Sequence, residues 1–222
     1  MEAPKTIAID GPVAAGKTAL GKALAEKLGY RFLDTGLMYR AVSWLAIQQG
    51  AGADNEGAVM RIAQTCPIRP IGDDGASMVI GEQILGEELR HPAVDLASSQ
   101  VSTYQGVRSA LVKQQKQIAD EGPVVMAGRD IGTVVLPDAP LKLFIVASPE
   151  VRARRRYEEM RDLGKEVEFQ EVLDDLLARD HRDESRDASP LKAAPDAVVL
   201  DTDGKTLCQV VQHALRIAEG VQ

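Results

Sequence analysis

Residues 5–29 read KTIAIDGPVAAGKTALGKALAEKLG, and the eight at the centre, GPVAAGKT (11–18), decide how the surrounding chain is folded. Gly11, Gly16, Lys17 and Thr18 match G-x-x-x-x-G-K-[ST]. Upstream, KTIAID (5–10) is a short buried-strand pattern. Downstream, residues 17–28 are rich in alanine, leucine, lysine and glutamate, which favour helix, and Gly29 is suited to end it. Glycines in a strand-to-helix turn let successive backbone N–H groups point inward, and the helix N-terminus adds positive potential. The segment Gly11, Pro12, Val13, Ala14, Ala15, Gly16, Lys17, Thr18 is therefore expected to cradle the phosphates of a nucleoside triphosphate. Lys17 supplies charge to the β- and γ-phosphates, and the Thr18 hydroxyl is placed to bind Mg²⁺.

Working outward, YRFLD (30–34) reads as a second strand, and 38–49 and 56–64 as helices. From Pro67 the texture changes to PIRPI, GDDG, SMVIG and EQILG, turn chemistry between short β-like runs that predicts a small antiparallel hairpin insert. Residues 93–121 predict one or two helices. PVVMAG (123–128) and LKLFIVA (141–147) are continuous apolar runs, as expected of parallel strands covered on both faces. Charged helices follow at 150–163 and 168–187, then a strand at AVVLD (197–201) and a last amphipathic helix at 207–219. Strands alternating with helices predict an α/β fold with a parallel sheet, in one domain spanning 1–222.

The bulk numbers narrow the partners. The 222-residue chain carries a formal charge of −7, which disfavours a nucleic-acid polymer. Yet nine of its sixteen arginines lie between 129 and 186, a distribution suited to a small, highly charged phosphate ligand. No apolar stretch approaches the ~20 residues of a membrane span, and MEAPK leads into a strand rather than a secretory leader. Cys66 and Cys208 lack metal-ligand spacing and form no disulfide framework, so a reducing cytoplasm is the expected setting. His91, His181 and His213 have no partner spacing. A guanine-selecting [NT]-K-x-D is absent from the sequence, and DTDG (201–204) reads as a turn, so a GTP-dependent switch is disfavoured.

Further segments go beyond what a phosphate loop needs: LDTGLMYR (33–40), SSQVS (98–102), GRDIGTVVLPDAP (128–140), RDHRDESR (179–186) and PLKAAPDAVVLDT (190–202). With the loop and the insert, they resemble the bacterial cytidylate kinases over essentially the whole chain. The resemblance implies a P-loop NTPase-type parallel sheet flanked by helices (core about 1–35, 105–150 and 190–222), an acceptor-binding β insert at about 36–104 and a helical lid at about 151–189. It implies ATP as donor with Mg²⁺, CMP or dCMP as acceptor, and a monomer. Thr35, Tyr39 and Arg40 match the segment meeting the acceptor nucleotide, and Arg129 a second phosphate-binding arginine. Ser99, Arg108 and Asp130 match the cytosine-reading positions. Their chemistry agrees: a carboxylate takes the N4 hydrogen while an arginine and a hydroxyl donate to N3 and O2. Arg179, Asp183 and Arg186, at i, i+4 and i+7, fall on one helical face; in the resemblance the first two meet the ribose and Arg186 the transferring phosphates. Arg152, Arg155 and Arg156 match the lid that closes over ATP.

One position departs from the family pattern. Many relatives carry an acid where this chain has Ala127, so an outer contact to magnesium is missing or comes from Asp10 or Asp34. Slower or more magnesium-demanding catalysis is expected. Two rival readings stay open: a kinase of another acceptor (UMP, AMP or shikimate), and a nucleotide-binding switch that transfers nothing.

Overall fold

A computed structural model describes residues 4–72, 75–186 and 188–220. Five parallel strands form the central sheet, in the order β2-β6-β1-β7-β8: β1 (Thr6–Asp10), β2 (Arg31–Asp34), β6 (Val124–Gly128), β7 (Leu141–Val146) and β8 (Val198–Asp201). Every residue of β6 is buried, as a strand covered on both faces requires. One face packs on α1 (Lys17–Leu28) and α8 (Leu207–Gly220) through Ile7, Ile9, Leu20, Phe32 and Val211. The other face packs Ala8, Leu33 and Met126 against Met38, Val42 and Leu111 of α2 (Thr35–Gln48) and α5 (Gln105–Asp120).

Register sets where the site can lie. Asp10 is level with Gly128, and Asp34 with Ala127, so the glycine loop, Thr35 and Arg129 all leave the sheet at one edge. That edge, the carboxyl end of a parallel sheet, is where α/β proteins place ligands.

Between α2 and α5 lie α3 (Glu56–Thr65), a three-stranded antiparallel sheet of β3 (Ile68–Ile71), β4 (Ser77–Ile80) and β5 (Gln83–Leu85), and α4 (Pro92–Val101). The expected hairpin has a third strand because Gln83–Leu85 pairs back onto β4. Two residues of the expected GDDG turn, Asp73 and Asp74, lie outside the described residues, as do Met1–Ala3 and Asp187. α2 starts three residues before the expected Met38, because Asp34 caps it by accepting the Gly36 N–H at 3.0 Å.

The charged helices α6 (Pro149–Asp162) and α7 (Phe169–Ser185) pack together beside the sheet edge. α7 stops one residue short of Arg186, whose backbone is extended (φ −65°, ψ 139°). Arg179 and Asp183 are on the helix, but Arg186 does not share their face. The chain turns back there: the Leu191 N–H reaches the Asp183 carbonyl at 2.8 Å, and Arg186 Nε donates to the Ser189 carbonyl at 2.6 Å.

Candidate active site

The glycine loop has the backbone its sequence calls for. Gly11 (φ 148°) runs so close to β7 that a Cβ would collide with the Ile145 carbonyl oxygen. Gly16, at φ 99°, precedes α1 with no side-chain cap. The first N–H groups of α1 are thus open toward the loop, a ready seat for an anion. Ala14 adopts a left-handed φ of 57°. Lys17 folds back to donate to the Pro12 carbonyl at 2.6 Å. It is 7% exposed, and burial, aided by Arg129, pulls its ammonium well below its ordinary pKa. The Thr18 hydroxyl donates to Asp34 Oδ2 at 2.8 Å.

A cleft of about 450 Å³ opens in front of this loop. Lys17, Arg40, Arg129, Arg179 and Arg186 all line it, so cations from distant parts of the chain converge at the loop's mouth. Arg155 and Arg156 line it as well, from α6. Arg152 is placed otherwise. Only 4% exposed, it donates to the Ala147 carbonyl at 3.0 Å and the Val13 carbonyl at 3.2 Å, and pairs with Asp180 at 2.6 Å. Its donors fasten α6 to the loop's backbone, and it is not among the residues lining the cleft, whereas the resemblance groups it with Arg155 and Arg156 in a lid over ATP. Arg155 mixes the two: it donates to Thr202 Oγ1 at 3.0 Å and the Thr202 carbonyl at 2.9 Å while lining the cleft.

Toward the insert, Arg108 and Asp130 form a buried ion pair, and Arg108 also donates to the Ser102 carbonyl at 3.1 Å. The Arg108 guanidinium lies 5.6 Å from the Tyr39 ring centroid. Burial pushes the Tyr39 phenol up to about 12. Arg186 Nη2 lies 3.9 Å from Asp130 Oδ1. Two buried donors, Arg108 Nε and Arg186 Nη2, have no hydrogen-bond acceptor among the described residues. Arg129 Nε donates to Asp183 Oδ2 at 2.8 Å. Burial alone would raise the Asp183 carboxyl, but Arg129, Arg186 and Arg179 hold it below its usual range. The Thr35 hydroxyl donates to the Ala127 carbonyl at 2.9 Å, tying α2 to β6. From α4 and the residue that caps it the cleft is lined by Ser98 and Ser102; the expected Ser99 is half-buried, and its carbonyl accepts the Ser102 hydroxyl at 2.9 Å.

The sequence places this arrangement. A sequence model described as "Cytidylate kinase" matches residues 7–220. The chain belongs to the cytidylate kinase family. It is, as a member, an ATP-dependent nucleoside monophosphate kinase. The cytidylate kinase of Bacillus velezensis is 40% identical over 99% of this chain and 98% of its own length. That of Streptococcus equi subsp. zooepidemicus is 44% identical over 97% and 96%. Among solved structures, a gluconokinase of Sinorhizobium meliloti 1021 shares the fold, with a TM-score of 0.50 at 18% identity over 99% of this chain and 97% of that one.

Two carboxylates of this cytidylate kinase family member escaped sequence reasoning in the roles they take. Asp10 accepts the Ile131 N–H at 2.8 Å and the Gly132 N–H at 2.7 Å, so the strand before the glycine loop holds the segment carrying Arg129 and Asp130. Burial lifts its carboxyl to about 6, against the pull of those N–H groups. Its place at the end of β1 was the available signal. Asp95, on α4, carried none: it meets Arg40, Arg156 and Arg179, residues 55 to 84 positions away in sequence. Ala127 is buried in the apolar cluster of Ile9 and Leu20, so the carboxylate beside Thr18 is that of Asp34.

Proposed function

We propose that this kinase transfers the γ-phosphoryl group of Mg-ATP to CMP or dCMP, giving ADP and the cytidine diphosphate. One observation carries the choice of base: the Asp130 carboxylate pairs with Arg108, whose buried Nε has no hydrogen-bond acceptor, in the cleft that Ser98 and Ser102 also line. Cytosine offers the complement, an N4 hydrogen for Asp130 and N3 and O2 acceptors for the arginine and those serines. Uracil inverts two of these positions and leaves buried groups unpaired, at about 1–3 kcal/mol each.

The acceptor is already an anion, so no strong base is needed. Its phosphate oxygen attacks the γ-phosphorus, the bond from that phosphorus to the β–γ bridging oxygen breaks, and ADP departs. What opposes this is the approach of two polyanions. Alignment and surrounding cations therefore supply the catalysis. Lys17 and the open N-terminus of α1 take the donor phosphates, Arg40 and Arg129 the acceptor phosphate, and Arg186 and Arg155 the group in transfer. Arg179 and Asp183 take the ribose.

Magnesium fits the residues present. Thr18 and Asp34 offer hard oxygen ligands, directly and through water, and the ion usually takes only one or two protein groups beside substrate phosphates. When bound, it neutralises charge on the β- and γ-phosphates. Helices α6 and α7 act as the lid and α2–α4 with the small sheet as the acceptor insert, closing to exclude water from ATP. The reading carries with it a monomer working in the cytoplasm on small molecules; among the described residues no helix is long and apolar enough to cross a membrane.

The deciding assay is ADP release from Mg-ATP with CMP, dCMP, UMP, AMP and shikimate offered in turn. Fast release with CMP and dCMP is expected. Equal, slow release with every acceptor overturns the reading.

A further inference from the structure

Three of the cleft's arginines share one anion. Asp95 Oδ1 accepts from Arg40 Nη2 at 2.7 Å and from Arg179 Nη1 at 3.0 Å, and Oδ2 accepts from Arg156 Nη2 at 3.1 Å. The donors come from α2, α7 and α6, so one carboxylate joins the insert to both charged helices. It is a partly enclosed contact, the Asp95 side chain being 19% exposed. The three guanidinia hold its carboxyl below its ordinary range although burial pushes the other way. Arg40 is engaged on both arms of its fork, since Nη1 donates to the Leu89 carbonyl at 3.1 Å. A phosphate that is to be gripped by Arg40 through parallel hydrogen bonds must take over at least one of those arms.

We propose that Asp95 is a positioning residue that stands in for the acceptor's phosphate. Without the nucleotide, its carboxylate gathers Arg40, Arg156 and Arg179 and offsets their mutual repulsion; the incoming phosphate displaces it from Arg40. The inference rests on the nucleoside monophosphate acceptor proposed above. Two consequences separate it from a purely structural ion pair. Apparent affinity for the acceptor is lowered by the fraction of molecules in which Asp95 holds the arginines. And the penalty falls on ligands that bring a phosphate, because a nucleoside has no anion with which to displace Asp95 from Arg40.

The test compares CMP and cytidine binding to the full chain by calorimetry without ATP, in the wild type and in Asp95→Asn. The substitution keeps the shape and removes the charge. CMP is expected to bind about fivefold more tightly in the variant, as for removal of one partly exposed competing ion pair, while cytidine is unchanged. Asp95→Ser is a second variant that must move the ratio of the two affinities in the same direction. An unchanged ratio, or CMP and cytidine weakened together, overturns the proposal. A wild type that binds no CMP at all overturns the acceptor assignment instead, so the two failures are distinguishable.

Discussion

The Thr18 hydroxyl donates to Asp34 Oδ2 at 2.8 Å, joining the end of the glycine loop to the cap of α2. This contact brings an oxygen pair to the spot where the loop's threonine would meet magnesium. In the proposed function Asp34 takes the magnesium-ordering role that Ala127, buried in an apolar cluster, cannot take. Asp34→Asn is therefore expected to raise the magnesium concentration for half-maximal activity about tenfold, in keeping with the loss of an outer-sphere partner. A magnesium titration at fixed ATP checks it, with a thermal melt to account for any weakened cap. A superimposable titration curve would return the missing contact to an unknown source.

Asp130 has one carboxylate oxygen in the pair with Arg108 and the other 3.9 Å from Arg186. Asparagine there keeps the size but presents an amide whose N–H₂ opposes the N4 hydrogens of cytosine. Asp130→Asn is expected to lower kcat/KM for CMP about 100-fold while UMP changes far less, as when a buried polar match is broken. Steady-state kinetics with both acceptors measure the ratio. Equal losses would show that Asp130 only holds Arg108.

Local chemistry made the loop legible and left the cleft half-read. GPVAAGKT, with Gly29 as its helix stop, carries its instructions within a few residues, so β1, the loop and α1 fall where expected. The apolar runs of β6 and β7 likewise announce strands buried on both faces. Arg152 shows where such reading ends. Its spacing from Arg155 and Arg156 puts it on a stripe, but only the packing of α6 on the loop directs its donors to Val13 and Ala147. Asp95 is the same lesson inverted, an unremarkable helix carboxylate given meaning by three arginines that the fold brings to it. Arg186 was misplaced for a third reason: helical periodicity cannot see the turn that ends α7 at Ser185.

Asp10 predicts a pH signature. Its folded pKa, raised by burial to about 6 from 3.8, exceeds the unfolded value, so the folded state holds the proton to higher pH. The contribution is complete below about pH 4 and is lost as pH rises to about 6, a swing of about 3 kcal/mol. Asp10→Asn lacks this titration. It starts less stable, because its amide N–H₂ faces the N–H of Ile131 or Gly132. The stability gap between wild type and variant is expected to narrow from pH 4 to pH 6.5 in nucleotide-free, metal-free protein. Urea unfolding across that range reads it. A constant gap would mean that the two backbone N–H groups keep the carboxylate ionised throughout.

Lys17 sets stability against activity. The residue is 7% exposed, and burial beside Arg129 disfavours the charged form of its amine. Wherever the folded group has shed its proton and the unfolded one has not, the unfolded chain binds more protons, and stability rises with pH. Methionine keeps the length and apolar stem, removes the charge and forfeits one hydrogen bond to the Pro12 carbonyl, worth about 1 kcal/mol. Lys17→Met is thus expected to melt at or above the wild-type temperature near neutral pH. Its phosphoryl transfer is expected to fall about 10³-fold, the scale of a lost transition-state donor. A variant both inactive and markedly less stable would make the lysine part of the loop's scaffold. The same melt repeated with ATP separates the cases further: the wild type should gain from binding the donor, and the variant should gain less because the β- and γ-phosphates have lost their cation.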